Sequence, residues 1–248
     1  MKPPGRYRKK FLAGISIIIF IIFNQAGVYA QSQEETLAGM VQLAKHAYGT
    51  NDKLVNGVVY LPKHPRAHGG PYYPANNYTE GNIYINGTGF NACQIKYNAA
   101  IQKLILKSSI SEYAVAEILL NNTRVDSFQL NESKFIHARH AGIPALTNGY
   151  FEIIHRGDFR FMAYRKIVFQ DVYSRKYPFG RYAMLPSTYF FIQNDSITTI
   201  NNKRDLYSLF PAERNNIKKY IQKHKIKFKK ASGEELKALI NFSEKKQE

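Results

Sequence analysis

Residues 82–97 read Asn-Ile-Tyr-Ile-Asn-Gly-Thr-Gly-Phe-Asn-Ala-Cys-Gln-Ile-Lys-Tyr, and this stretch decides the fold class. Two runs of apolar and aromatic residues flank Asn86-Gly87, a dipeptide that two-residue hairpin turns favour because both of its positions tolerate positive φ. The stretch therefore predicts an antiparallel hairpin with strands at 82–85 and 90–97.

Short strands with turn residues between them continue after this hairpin. Residues 115–120 are expected to pair with 124–130 across Asn121-Asn122. Turns at such short intervals, with no helix of a dozen residues between them, predict an antiparallel meander that forms a barrel or a sandwich, and hence a mainly β fold. The further predicted strands are 101–107, 134–138, 150–155, a long strand 159–169, and a pair at 189–193 and 196–200.

Both ends of the mature chain follow helical spacing instead. Residues 34–48 place apolar side chains three and four positions apart, which predicts a short N-terminal helix. Near the C-terminus, Ser232 and Glu235 form a capping box that opens a last helix. We therefore expect an antiparallel β domain at 31–202, followed by a small basic helical extension at 203–248.

The first thirty residues predict export. Five cationic residues precede the apolar segment Phe11–Phe23, and small residues stand three and one positions before a cut after Ala30. A helix of that segment would span about 20 Å, less than the roughly 30 Å of a bilayer's hydrocarbon core. We therefore expect a signal peptide at 1–30, no transmembrane span after its removal, and a protein in the periplasm, at the outer membrane or outside the cell.

The net charge of +17 is strongly basic. Removing residues 1–30 takes away five positive charges and no negative one, which leaves +12, and residues 203–248 carry +7 of it. Such a surplus attracts polyanions, so an anionic lipid surface or an acidic glycan is the expected partner, without specific binding of nucleic acid. A contribution to solubility alone stays open. The single cysteine, Cys93, excludes an internal disulfide and is expected to be buried.

Residues 173–182 interleave aromatic rings with cations more densely than any other segment. Such rings can stack on sugars while guanidinium and ammonium groups neutralise anions. Cross-strand pairing of tyrosine with arginine is the structural alternative. The lysine face of 214–230 is a second candidate. The predicted ligand-binding residues are Tyr173, Arg175, Lys176, Tyr177, Arg181 and Tyr182 in the segment, and Lys218, Lys219 and Lys223 on the face.

Motifs for catalysis, metal or cofactor binding are weak or missing. The chain has no nucleophile elbow, phosphate-binding Gly-Lys-Ser/Thr loop or His-Glu-x-x-His motif, so no catalytic residue and no cofactor is predicted. His137, His140 and His155 are the best metal candidates, but their spacing favours ordinary histidines, as for His64 and His68 in a proline-rich loop. We expect a non-catalytic binding or structural module.

Two other functions stay open. A hydrolase acting on an envelope polymer would depend on single histidines or carboxylates such as His137 or Glu152. A secreted factor that perturbs membranes would use its basic tail on anionic vesicles.

Several turn and strand motifs also carry a resemblance. They are Val55-Asn56-Gly57, Gly70-Pro71-Tyr72-Tyr73, residues 81–87, Ile95-Lys96-Tyr97-Asn98, Gln102-Lys103-Leu104-Ile105, and in the tail Leu209-Phe210, residues 217–221 and residues 225–230. The chain resembles a group of uncharacterised exported β-rich proteins of Gram-negative bacteria in most of its mature length. The resemblance implies an exported β-rich protein, and it implies no activity.

Overall fold

The computed structural model describes residues 53–111, 114–143, 148–194 and 196–244. The predicted signal peptide at 1–30 and the predicted helix at 34–48 lie outside these residues. Of the described helices, none is long and apolar enough to cross a membrane.

Fourteen strands occur in the described part of the chain. They are β1 (Gly57–Val59), β2 (Tyr72–Tyr73), β3 (Thr79–Ile85), β4 (Thr88–Asn98), β5 (Lys103–Ser111), β6 (Ala114–Leu120), β7 (Val125–Leu130), β8 (Ser133–His137), β9 (Tyr150–Arg156), β10 (Arg160–Tyr164), β11 (Ile167–Gln170), β12 (Arg181–Met184), β13 (Thr188–Gln193) and β14 (Ser196–Ile200). Twelve of them form one large antiparallel sheet in the order β1-β6-β5-β4-β3-β7-β8-β9-β10-β13-β14, with β2 beside β4, and β11 pairs with β12 separately. The predicted mainly β, antiparallel class is confirmed.

The hairpin predicted at 82–97 is present as β3 and β4. Ile85 lies opposite Thr88, and Asn86 and Gly87 between them have φ values of 48° and 77°. Positive φ at both central positions matches the right-handed twist of the flanking strands. The local sequence therefore predicts this turn correctly, and the Gly87 amide also donates to Asp126 Oδ2 of the neighbouring strand β7 at 2.7 Å.

The predicted hairpin between 115–120 and 124–130 is wrong. Strand β6 pairs with β5 on one side and with β1 on the other, so neither of its edges is left for β7. Instead β7 pairs with β3 and β8. The turn that redirects the chain uses the Asn121 side chain, which accepts a hydrogen bond from the Thr123 amide at 3.0 Å.

The predicted long strand 159–169 is also wrong, because it is broken at Arg165. The main sheet keeps residues 160–164 as β10, and β11 begins at Ile167 in a different sheet. The Arg165 side chain is 1% exposed and turns into the protein interior. The break coincides with Arg165, which pairs there with Glu152 of β9, and after it the chain leaves the main sheet.

The main core lies on one face of β3 to β9. Ile83 and Ile85 are buried there, while Tyr84 between them is 46% exposed, as expected for side chains that alternate across a sheet. Cys93 is buried in the same cluster, as predicted. The sheet therefore carries the alternating pattern of one packed and one wetter face.

The helices are α1 (Ala138–Ala141), α2 (Lys203–Leu209), α3 (Arg214–Lys223), a single 3₁₀ turn (Phe228–Lys230) and α4 (Gly233–Glu244). The predicted capping box is confirmed, since Glu235 N–H donates to Ser232 Oγ and Ser232 N–H donates to Glu235 Oε2. Leu236 and Ile217 share a buried cluster with Phe161 of β10. The C-terminal helices therefore complete a second core on the sheet, while the domain boundary at 202/203 stays a prediction.

Candidate binding surface

The predicted segment 173–182 forms the exposed tip and the returning strand of the β11–β12 hairpin. Tyr173 is 66% exposed, Arg175 and Lys176 are exposed, and Tyr177, Arg181 and Tyr182 are half-buried. In the hairpin, Arg181 lies opposite Gln170 and its Nε donates to Gln170 Oε1 at 2.7 Å. Arg181 therefore pairs across the hairpin with a glutamine and not with a tyrosine. The aromatic ring that Arg181 contacts is that of Tyr177, at the tip of the hairpin.

The proline-rich loop before β2 packs along this hairpin. The His68 amide donates to Gly180 O at 3.0 Å, and the Tyr182 amide donates to His68 O at 2.9 Å. His64 stacks on Phe169 with ring centroids 3.7 Å apart. The loop therefore extends the hairpin by main-chain hydrogen bonds, as an added strand would.

Cations and rings converge where the loop meets the hairpin tip. Arg181 and Lys176 lie 5.0 and 5.4 Å from the centre of the Tyr177 ring, and the His68 ring is 5.0 Å from it. Arg66 lies 5.5 Å from the centre of the Phe179 ring. The neighbouring Arg181 and Lys176 hold the pKa of the Tyr177 hydroxyl below its usual value. These residues, 64–68, Phe169 and 173–182, are called the hairpin–loop surface below.

Sequence reasoning found the hairpin half of this surface and missed the loop half. His64, Arg66 and His68 lie about a hundred residues earlier in the chain, in a stretch without periodicity. The only local signal was a group of cations and imidazoles between prolines, which predicts a loop and not its partner.

The lysine face is a separate surface. Lys218, Lys219 and Lys223 are exposed on α3, and Ile217 and Ile221 on the opposite side are buried. Within the described part of the chain, none of these three lysines lies in an ion pair. The predicted exposed face is present, but among the described residues none of these three lysines lies over an aromatic ring as Lys176 does at the hairpin–loop surface.

A groove of about 680 Å³ adjoins the hairpin–loop surface. Its walls come from residues 59–64, the turn at 98–101 and the start of β11, and Phe169, His64 and Tyr182 belong to both sites. The size falls within the range of small-molecule sites. The groove was not predicted, because its lining residues come from five separate parts of the chain, at 59–71, 98–101, 119, 166–169 and 182.

Glu152, named above for the hydrolase alternative, is fully buried in an ion pair. Arg165 Nε and Nη2 both lie 2.8 Å from Glu152 Oε2, and Tyr73 and Ser133 donate to the two carboxylate oxygens at 3.0 Å. Burial raises the pKa of the Tyr73 hydroxyl, and the Glu152 charge raises it further. The arrangement holds the charge of Arg165 inside the fold.

The histidines have local structural contacts. His137 Nδ1 accepts the Arg139 amide at 3.2 Å and so caps α1, while His140 Nε2 lies 3.1 Å from Asp126 Oδ1. His155 stacks on Phe159. No three metal-ligating side chains gather at one point in the described residues.

The comparisons with known proteins add no further constraint: no protein-family model matches the chain, and no curated protein or solved structure matches it.

Proposed function

We propose that this protein is an exported, non-catalytic module that binds an anionic component of the cell envelope. The observation that carries the proposal is the hairpin–loop surface, where Arg66, Lys176 and Arg181 lie on exposed or half-buried aromatic rings. Cations held by rings are already ordered, so less side-chain freedom is lost when an anion binds.

The charge distribution supports the same proposal. The chain carries 35 lysines and arginines against 18 aspartates and glutamates. A surplus of this size attracts phosphate, carboxylate and sulfate groups from a distance, and the lysine face widens the attracting area. We assign the specific contact to the hairpin–loop surface, and long-range attraction to the lysine face.

Export is part of the proposal. The sequence of residues 1–30 supports it, and the resemblance to exported β-rich proteins of Gram-negative bacteria points the same way. An anionic lipid surface or an acidic glycan is the partner available to such a protein. Cleavage after Ala30 can be read from the N-terminal sequence of the protein recovered from the envelope fraction, and recovery in the cytosol with Met1 intact would contradict export.

The binding proposal is tested by titrating the purified protein against phosphatidylglycerol-containing vesicles, peptidoglycan and an acidic glycan. We expect binding to at least one of them that weakens when salt is raised from about 50 to about 300 mM, because exposed charges are screened. Lys176→Gln combined with Arg181→Gln should weaken this binding about tenfold.

Lys134→Gln combined with Arg156→Gln is the matched control, since it removes two exposed cations of the main sheet and leaves the hairpin–loop surface intact. Equal loss in the control and in the test variant would assign binding to net charge alone and contradict the proposed site. Leakage of dye from the vesicles at saturation would favour the membrane-perturbing alternative over a passive module.

A further inference from the structure

The groove beside the hairpin–loop surface has an apolar rim that faces solvent. Leu61 is 81% exposed, Val59 is 62% exposed and Ile101 is 47% exposed, and all three line the groove. Apolar side chains exposed together around a concave site are typical of interaction sites, whereas singly exposed ones are ordinary. The rim therefore offers area that a partner could remove from water.

The charged lining of the groove has one sign. Lys63 and Lys166 line it, and no carboxylate does so among the described residues. Lys166 Nζ donates to Ala100 O at 3.1 Å, which fixes the ammonium at the groove and leaves its other protons for a ligand. An occupant with an apolar part and an anionic end would match both features.

The groove is also continuous with the proposed binding site. The stacked pair of His64 and Phe169 lies at the boundary between the two sites, and Tyr182 belongs to both of them. An anionic head group at this boundary would contact the cations of the hairpin–loop surface while an attached chain lay along Ile101 and Leu61. The two sites can thus receive two ends of one molecule.

We propose that the groove binds a single acyl chain of an anionic lipid, with the head group at Lys63, Lys166 and the hairpin–loop surface. This inference rests on the proposed function and names its ligand class. An acyl chain is linear and apolar, so it can lie along the apolar rim of the groove, and each methylene removed from water adds to its affinity.

The test uses palmitoyl-lysophosphatidylglycerol as a monomer, below its micelle concentration, with the purified protein. We expect one lysolipid molecule to bind per protein molecule. The affinity should fall about fivefold for every two methylenes removed from the acyl chain. This decrease is smaller than the one expected for a fully buried acyl chain, because the groove is open. Palmitoyl-lysophosphatidylcholine, which has no net charge, should bind at least fivefold more weakly. Glycerophosphoglycerol, the head group without its chain, should not bind measurably.

Leu61→Ser combined with Ile101→Ser should weaken lysolipid binding about tenfold, because it removes two apolar walls that are exposed in the free protein. Val115→Ser is the matched control, since Val115 is 59% exposed on β6 and lies outside the groove. Affinity that does not depend on chain length, or equal losses in test and control variants, would overturn the inference.

Two further outcomes separate this inference from the proposed function. Salt-sensitive binding to phosphatidylglycerol vesicles without any lysolipid binding would overturn the groove assignment and leave the proposed function standing. Absence of both would overturn both. The Leu61→Ser, Ile101→Ser variant could instead unfold at a lower temperature and bind the lysolipid as well as before. This would indicate that another part of the polypeptide covers the groove, which also overturns the inference.

Discussion

At the scale of single residues, the buried pair of Glu152 and Arg165 connects the sheet to the C-terminal helices. Arg165 Nη1 donates to Ser187 Oγ and to Ala231 O, each at 2.8 Å, and Ala231 precedes α4. Gly233, at the start of α4, lies so close that a Cβ there would stand 2.1 Å from Glu152 Oε1. These hydrogen bonds help to offset the cost of burying two charges, and Arg165 Nη2 has only its 2.8 Å ion-pair contact with Glu152 Oε2.

Glu152→Gln should lower the free energy of unfolding by about 3–5 kcal/mol, because it leaves the Arg165 charge buried without a counterion. Urea unfolding of the variant measures this loss. Glu132→Gln, at an exposed position, should change stability by less than about 0.5 kcal/mol. Replacing both partners with Glu152→Leu and Arg165→Met should cost less than Glu152→Gln alone, and a larger loss in the double variant would contradict this role of the pair.

His137 predicts a specific pH dependence of stability. Burial, together with the charges of Arg139 and His140, lowers the pKa of His137 to about 4, from 6.5. Between these values the unfolded chain binds more protons than the folded one, so stability falls as pH falls from about 6.5 to about 4, by at most about 1.4 kcal/mol per pH unit. His137→Asn can still cap Arg139 and should lose this slope in urea titrations. The same slope in both proteins would assign it to another group.

At the scale of elements, sequence patterns predicted the β3–β4 hairpin correctly, but they wrongly paired β6 with β7. The β3–β4 turn follows from Asn86-Gly87, and the start of α4 follows from Ser232 and Glu235, because each depends on residues a few positions apart. The partner of β7 depends on which sheet edges are already occupied. The break coincides with Arg165, whose partner Glu152 lies in β9, so no pattern within 159–169 reveals that contact.

Gly87→Ala isolates the backbone requirement of the β3–β4 turn. A Cβ at Gly87 would contact nothing within 4 Å, so only its φ of 77° opposes the substitution. The expected loss in free energy of unfolding is about 1–2 kcal/mol, the strain of an L-residue in the left-handed region. Thermal and urea unfolding measure it, with Thr88→Ala at the next, exposed position as control. No loss beyond the control would mean that the turn changes its conformation.

At the scale of the whole molecule, the fold class could be predicted from the sequence, and the candidate hairpin–loop surface only in part. Residues 173–182 could be predicted from their composition, since aromatic rings and cations are interleaved within ten positions. Arg66 and His68 lie beside these residues because the loop forms main-chain hydrogen bonds with Gly180 and Tyr182, and the sequence does not predict this pairing. The groove is lined by five separate parts of the chain, and the periodicity of each part carries no information about how they come together.

The absence of tryptophan from the chain allows one direct test of the proposed contact with an anionic surface. Tyr173→Trp places a single reporter at the hairpin tip, and Tyr84→Trp places one on an exposed position of β3. On addition of phosphatidylglycerol vesicles at low salt, we expect the emission of Tyr173→Trp to shift to shorter wavelength, and that of Tyr84→Trp to stay unchanged. An unchanged Tyr173→Trp spectrum while the protein is bound would contradict binding through the hairpin–loop surface.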